Sequence, residues 1–352
     1  MRTLVTTLIV AALLAMAFSA RMVAAENPIV PEGATLELLF TRSARLNGGL
    51  TEGPAVAPDG SIYFTDIPNG PDAGGMILRF DPATRQTTIF ADASGKANGL
   101  CCDAKGDLIA CEGNDYGGRR VSRWNLKTGK SETIVDKYRG KRFNAPNDLC
   151  IDSKGRIYFT DPRYLGDEPR ELEHRSVYRI DSDGKIVEIT HEVEKPNGIA
   201  LSPNEKTLYV VDHNNGTDKI DPTAPPPKPG AMKVLAFPLG SDGLISGKRR
   251  TLVDFGTENS ADGICVDVKG NIYLTSRSLK RPGLLVVDPS GKEIAFIATG
   301  PENQAGAKEP VGLPSNVEFG IGGEDTMLYL TVDKSLYRVR LKIAGYHVPF
   351  NN

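Results

Sequence analysis

The sequence predicts an all-β fold, a six-bladed β-propeller whose sixth blade is completed by a strand from the N-terminal end. Three observations carry this. First, six stretches open on a polar lead residue: Glu52-Gly-Pro, Asn98-Gly-Leu, Asn147-Asp-Leu, Asn197-Gly-Ile, Asp262-Gly-Ile and Asn316-Val-Glu. Second, the intervals between leads are 46, 49, 50, 65 and 54 residues, a period that means a repeat array, here built of strands. Third, the last repeat is one strand short, and Thr35-Leu-Glu-Leu-Leu-Phe40 stands unassigned before the first. Pairing the two hides an open sheet edge.

The elements follow in order. Arg2 followed by the apolar run Leu4 to Phe18, with small residues at Val23-Ala24-Ala25, reads as an export signal over residues 1–25. The run is about 15 residues, short of the ~20 that a membrane span needs. Residues 26–352 then form one propeller domain, exported to the periplasm or beyond, with no membrane contact in its mature form. Alternation, β-branched and aromatic content, and flanking Gly, Asp and Pro give four strands per repeat. The first repeat runs 52–56, 61–66, 76–80 and 86–90. The second runs 98–103, 107–111, 120–126 and 131–135, and the third 147–152, 156–161, 176–180 and 185–189. The fourth runs 197–201, 207–212, 231–237 and 250–255, and the fifth 262–267, 271–275, 283–288 and 292–297. The sixth offers 315–319, 326–332 and 336–343.

The first turn of a repeat is tight, as in Pro58-Asp-Gly60 and Ser153-Lys-Gly155. The connection after the second strand is long and varied, and antiparallel geometry puts it on the face of the lead residues. The Pro-rich stretch Asp218–Gly230 makes one of these connections a stiff loop.

Composition bounds the partners. The chain has 352 residues, 40% hydrophobic and 24% charged, with a formal net charge of -2 and no basic block. Nucleic acid is therefore excluded as a partner class, and no motif marks an obligate protein partner. Five cysteines without a CxxC argue against a thiolate zinc site. Cys101, Cys150 and Cys265 share a slot that Ala55 and Ala200 occupy elsewhere, which reads as small packing positions.

In a closed ring the six leads converge on the axis. Glu52 and Asp262 are the only carboxylates among them; Asn98, Asn147, Asn197 and Asn316 bring amides. Two buried carboxylates side by side resist ionisation unless a cation lies between them, and two charges match one divalent ion. All-oxygen donors favour Ca2+, Mg2+ or Mn2+ over copper; Ca2+ comes first, and Zn2+ stays open. The plainer alternative is that Asn-Gly and Asp-Gly merely make turns at blade entry.

Glu52-Gly-Pro, Pro146-Asn-Asp148, Pro196-Asn-Gly-Ile-Ala-Leu-Ser202 and Asp262-Gly-Ile together resemble the gluconolactonase/regucalcin (SMP-30-like) family, nearest its bacterial gluconolactonases. Phe159-Thr-Asp-Pro-Arg-Tyr164 and Pro314-Ser-Asn-Val317 add to the likeness, which runs from about Leu50 to Leu341. The resemblance implies a six-bladed propeller with an axial divalent metal that opens lactones of sugar acids. It puts Glu52, Asn197 and Asp262 in the metal-ligand places. Asn147 takes that of the amide facing metal and substrate, and Asp262 that of the general base. Ala145 and Val56 depart from the family pattern, which bears on sugar specificity rather than the metal.

The residues support that chemistry by themselves. A divalent ion polarises an ester carbonyl, and a carboxylate such as Asp262 accepts the proton of attacking water. No GxSxG competes. Asn98, Asn147, Glu112, Arg163, Tyr164 and His213 are the candidate substrate contacts, with a solvated rim as the alternative for Glu112, Arg163, Tyr164 and Arg277. His213 opens the long fourth connection, whereas His174, His191 and His347 read as surface or loop residues, and Asp148 as a turn-ordering one. The expected substrate is a small lactone or ester. The competing functions are a non-catalytic calcium-binding propeller that serves as a platform, and a strictosidine-synthase-like lyase; fold alone does not separate these.

Overall fold

The computed structural model describes residues 27–42, 49–68, 74–113, 116–164, 166, 168–216, 228–300 and 312–350. The expected export signal and most of the Pro-rich stretch lie outside these. Six four-stranded antiparallel sheets follow one another around a ring. The innermost strands are Leu50–Val56, Ala97–Cys102, Leu149–Ile151, Pro196–Leu201, Ala261–Val266 and Pro314–Phe319. Blade 6 takes its outermost strand from the N-terminal side: Glu37–Thr41 pairs antiparallel with Ser335–Arg340. This closure joins the two ends of the ring by backbone hydrogen bonds, so Ser335–Arg340 is not left as an open edge. One short hairpin, Lys137–Tyr138 with Lys141–Arg142, was not foreseen from sequence.

The core lies between blades rather than within one. Val56, Phe64 and Phe80 of blade 1 pack on Tyr329 and Leu336 of blade 6. Ala55, Tyr63 and Ile77 on the other face of blade 1 meet Leu108, Ala110 and Trp124 of blade 2. Four more clusters of this kind complete the circle. Strand alternation explains it: successive side chains leave opposite faces, and here both faces are covered by a neighbouring blade.

Hydrogen bonds also tie each blade to the next near the axis. Thr65 donates its hydroxyl to the Asn98 carbonyl at 3.0 Å, Thr160 to the Asn197 carbonyl at 2.8 Å, and Thr275 to the Ser315 carbonyl at 2.8 Å. Thr275 sits in Tyr273-Leu-Thr-Ser276, and Thr65 and Thr160 sit in Tyr-Phe-Thr-Asp second strands. The Asp that follows holds the entry to its own inner strand: Asp161 accepts from the Asn144 and Ala145 N–H groups at 2.8 and 2.7 Å.

Candidate functional site

Four inner strands break register where the lead residue stands. Irregularities fall between Glu52 and Ala55, Ala97 and Leu100, Pro196 and Ile199, and Ala261 and Ile264. A bulge bends a strand and re-aims a side chain, and here it turns the lead residues to one end of the axis. The glycine after the lead makes room for the next blade. A Cβ on Gly53 would lie 2.1 Å from the Asn98 carbonyl oxygen, and one on Gly198 would lie 2.4 Å from that of Asp262. The Asn-Gly and Asp-Gly pairs are thus close-approach positions as much as turns.

A cavity of about 310 Å3 opens at this end. Five leads line it: Glu52, Asn98, Asn147, Asn197 and Asp262. Tyr164, His213 and Arg277 join them from the long connections, with Lys96 from the blade 2 entry. The sixth lead does not. Asn316 is absent from the lining, and its Oδ1 accepts from its own neighbour, the Val317 N–H, at 2.8 Å. Asp148 does the same with the Leu149 N–H at 2.9 Å. Asn316 therefore matches Asp148, one residue past the lead, and Ser315 holds the lead place in blade 6, in keeping with the Thr275 bond to its carbonyl. Ser315 turns its hydroxyl to the Thr51 carbonyl at 2.6 Å, closing blade 6 on blade 1 rather than facing the cavity. Reading Ser315-Asn-Val against Asn147-Asp-Leu was the sequence signal that would have shown this.

Two expected substrate contacts, Glu112 and Arg163, lie elsewhere, and the structure corrects both. Glu112 stands directly across from Arg120 in blade 2 and accepts from its Nε at 2.8 Å, so pairing within the blade removes it from the pocket. Arg163 is fully buried, with Nη2 donating to the Gly166 carbonyl at 2.8 Å. Its neighbour Tyr164 lines the pocket instead, beyond a left-handed backbone turn at Arg163, whose φ is 74°. Arg277, expected from sequence at the pocket mouth with a solvated rim as the alternative, lines the cavity.

The electrostatics centre on the carboxylates. Burial, and then the charge of Asp262, push the Glu52 carboxyl well above the usual range, while Arg277 opposes the shift. Among the described residues only the Gly53 N–H reaches the Glu52 carboxylate, at 3.2 Å. The Asn147 Oδ1 is buried with no hydrogen-bond partner among the described residues. Asp148 adds a third acid near the axis, raised to about 7 mainly by burial. An orphaned amide oxygen beside two carboxylates of one sign is the donor set a hard divalent cation satisfies. Among the described residues no three His, Cys, Asp or Glu side chains form a metal-ligating cluster, so the amides are required to complete it.

His213 is placed with a defined tautomer. Its Nδ1 lies 2.9 Å from the Ala261 carbonyl, which only accepts, so Nδ1 carries the proton. Burial holds the ring below its ordinary pKa, which leaves a neutral imidazole with Nε2 as an acceptor. Tyr164 packs edge-on against it, with ring centroids 6.3 Å apart, and donates its hydroxyl to the His213 carbonyl at 3.1 Å.

The opposite end of the axis holds a smaller cavity of about 110 Å3 lined by Cys101, Cys102, Cys150, Cys265, Glu318 and His347. All five cysteines are free thiols; Cys265 is buried, but Cys101 and Cys150 are half-buried rather than packed away. His347 is likewise no surface residue: its ring lies 3.2 Å from the Gly320 carbonyl, and burial lowers it to about 4.

A family model described as SMP-30/Gluconolactonase/LRE-like region matches residues 50–333, and the chain belongs to that family. The gluconolactonase of Zymomonas mobilis is 29% identical over 316 residues, covering 84% of this chain and 79% of that protein. The regucalcin of Gallus gallus is 26% identical over 263 residues, covering 72% and 78%. A solved gluconolactonase structure from Xanthomonas campestris superposes with a TM-score of 0.69 at 27% identity, covering 88% of this chain and 90% of that one.

Proposed function

We propose that this member of the SMP-30/gluconolactonase/LRE-like family is a lactone hydrolase acting on lactones of sugar acids, with a divalent cation, Ca2+ first, held by Glu52, Asn147, Asn197 and Asp262. One observation carries the reading: two buried carboxylates and a partnerless amide oxygen face one polar cavity of about 310 Å3. The similarity to proteins named gluconolactonase supports the reaction class.

When bound, the cation supplies charge balance for the two acids and Lewis acidity at the ester carbonyl. The residues of the chain do the rest. Asp262 accepts a proton from the attacking water as its oxygen bonds to the carbonyl carbon. The ring C–O bond then breaks, and the departing ring oxygen takes that proton back from Asp262. His213 Nε2 accepts a hydrogen bond from a substrate hydroxyl, with the ring held by Ala261 and Tyr164. Asn98 and Tyr164 complete the polar wall. The N-terminal segment, read as an export signal, puts this chemistry outside the cytoplasm.

The test is a pH-stat screen over aldonolactones, aryl esters and acyl-lactones, with and without a chelator. Aldonolactone opening that stops on chelation and returns with Ca2+, Mn2+ or Mg2+ is expected. Opening indifferent to the chelator removes the metal from the reading, and tight Ca2+ binding without hydrolysis of any substrate replaces it with the platform function.

A further inference from the structure

Arg277 gives this pocket a charge that lactone opening by Asp262 and a cation does not use. The role assigned to it rests on the lactonase reading and narrows the substrate class. The residue enters from the connection after the second strand of blade 5, anchored by its N–H on the Ser260 carbonyl at 3.1 Å. Its Nη1 stands 3.2 Å from Asp262 Oδ2 and donates to the Pro314 carbonyl at 3.3 Å. The two side chains of the ion pair are 20% and 12% exposed, so the pair is largely withdrawn from water.

Charge counting then decides. Glu52 and Asp262 carry two negative charges, which one divalent cation balances. His213 is neutral. The acid on the same stretch of chain, Glu258, is engaged by Lys280 and by Ser278 at 3.1 Å. Lys96, a further cation in the lining, has a polar contact of its own, and the third acid near the axis, Asp148, stands outside the lining with its Oδ1 accepting from the Leu149 N–H at 2.9 Å. Once Asp262 is committed to a cation, the guanidinium of Arg277 keeps one positive charge inside the pocket. It has no accessible neutral form, and a largely desolvated guanidinium without an anion is costly. Its five N–H donors in a planar fork match a carboxylate, and its contacts with Asp262 and Pro314 use only Nη1.

We infer that Arg277 selects lactones bearing a carboxylate substituent, those of aldaric acids, over neutral aldonolactones. Ring opening creates a carboxylate from either kind, so product binding alone does not separate them; a matched pair of substrates does.

The experiment compares an aldonolactone with the aldarolactone of the same ring size, which differs in a terminal carboxylate. Both are assayed on the parent, Arg277→Gln and Arg277→Lys, with melting temperatures recorded. The open-chain dicarboxylate is titrated calorimetrically into each Ca2+-loaded protein. The parent is expected to favour the aldarolactone by about tenfold or more in kcat/KM, the scale set by one charged hydrogen-bonding group. Arg277→Gln lowers both activities but collapses the ratio by about tenfold, mainly through KM for the acidic lactone, and loses the dicarboxylate signal. Arg277→Lys, a point charge without the fork, restores part of the ratio and carries the test should the Gln variant fail to fold. A parent without preference, or a ratio that survives Arg277→Gln, overturns the inference while leaving the lactonase reading in place. Dicarboxylate binding that depends on Arg277, in a protein that opens neither lactone, sustains the anion site and overturns the lactonase reading. No hydrolysis and no binding overturns both.

Discussion

Arg277 Nη1 lies 3.2 Å from Asp262 Oδ2, so the carboxylate proposed as the general base already has a cation beside it. That pairing ties the fifth blade's long connection to the end of its inner strand. It also means that any cation entering the cavity competes with a guanidinium for one oxygen of Asp262.

Asp262→Asn keeps the shape of the side chain and removes the proton acceptor. Lactone hydrolysis is expected to fall by about a hundred- to ten-thousandfold, the usual range for a general base. Circular dichroism should change little, while the melting temperature falls because Arg277 loses its counter-charge. Near-parental turnover in a pH-stat assay would reject the base assignment.

His213→Phe keeps an aromatic ring against Tyr164 but loses the Nδ1–H bond to Ala261 and the Nε2 acceptor. A drop in kcat/KM of about tenfold or more is expected, as for the loss of one good hydrogen bond to the substrate. Calcium affinity, measured by titration calorimetry, should stay close to that of the parent. A large loss of calcium affinity would instead place His213 among the groups that shape the metal site.

Gly198→Ala tests the close approach of blades 4 and 5. The added methyl would stand 2.4 Å from the Asp262 carbonyl oxygen, which is backbone and has little room to yield. Overpacking of this kind costs about 1–3 kcal/mol, and because Asp262 itself must move, activity falls with stability. Gly323→Ala is the control, since no atom lies within 4 Å of the Cβ it would add. Equal melting temperatures for the two variants would contradict the packing at the axis.

Glu318 sits at the other end of the axis, where burial raises its carboxyl from an ordinary 4.5 to about 8. Between those values the folded chain holds a proton that the unfolded chain has released. Stability from this group is therefore complete below pH 4.5 and is lost as pH rises towards 8. Glu318→Gln should match the parent in thermal melts at pH 4 and melt higher at pH 9. Parallel melting curves across that range would show that the carboxyl ionises freely.

Much of the architecture was legible because it is local and periodic. The repeat of about fifty residues, the alternation within strands and the unassigned Thr35–Phe40 segment predict blade number and ring closure. The structure pairs Glu37–Thr41 of that segment with Ser335–Arg340. Five leads were legible for a related reason: a strand position repeated around a ring must return to the same height on the axis. The sixth was misread by one residue because Asn316 has the right chemistry, while the register that puts Ser315 in its place is set by the hydroxyl of Thr275, forty residues away.

The sequence by itself determined the propeller, the closure of its ring and the family to which the chain belongs. It also led to the expectation of two carboxylates and four amides at one end of the axis, of which both carboxylates and three amides line the cavity. Only the tertiary structure decided which polar side chains on the long connections face the cavity: Tyr164, His213 and Arg277 do, while Glu112 is taken by Arg120 and Arg163 is folded under its own loop. The physical reason is the range of the interactions. Strand alternation and backbone pairing act over a few residues, so their pattern is written along the chain. The aim of a charged side chain is settled by whichever distant backbone or counter-charge reaches it first, as the Pro314 carbonyl and Asp262 do for Arg277.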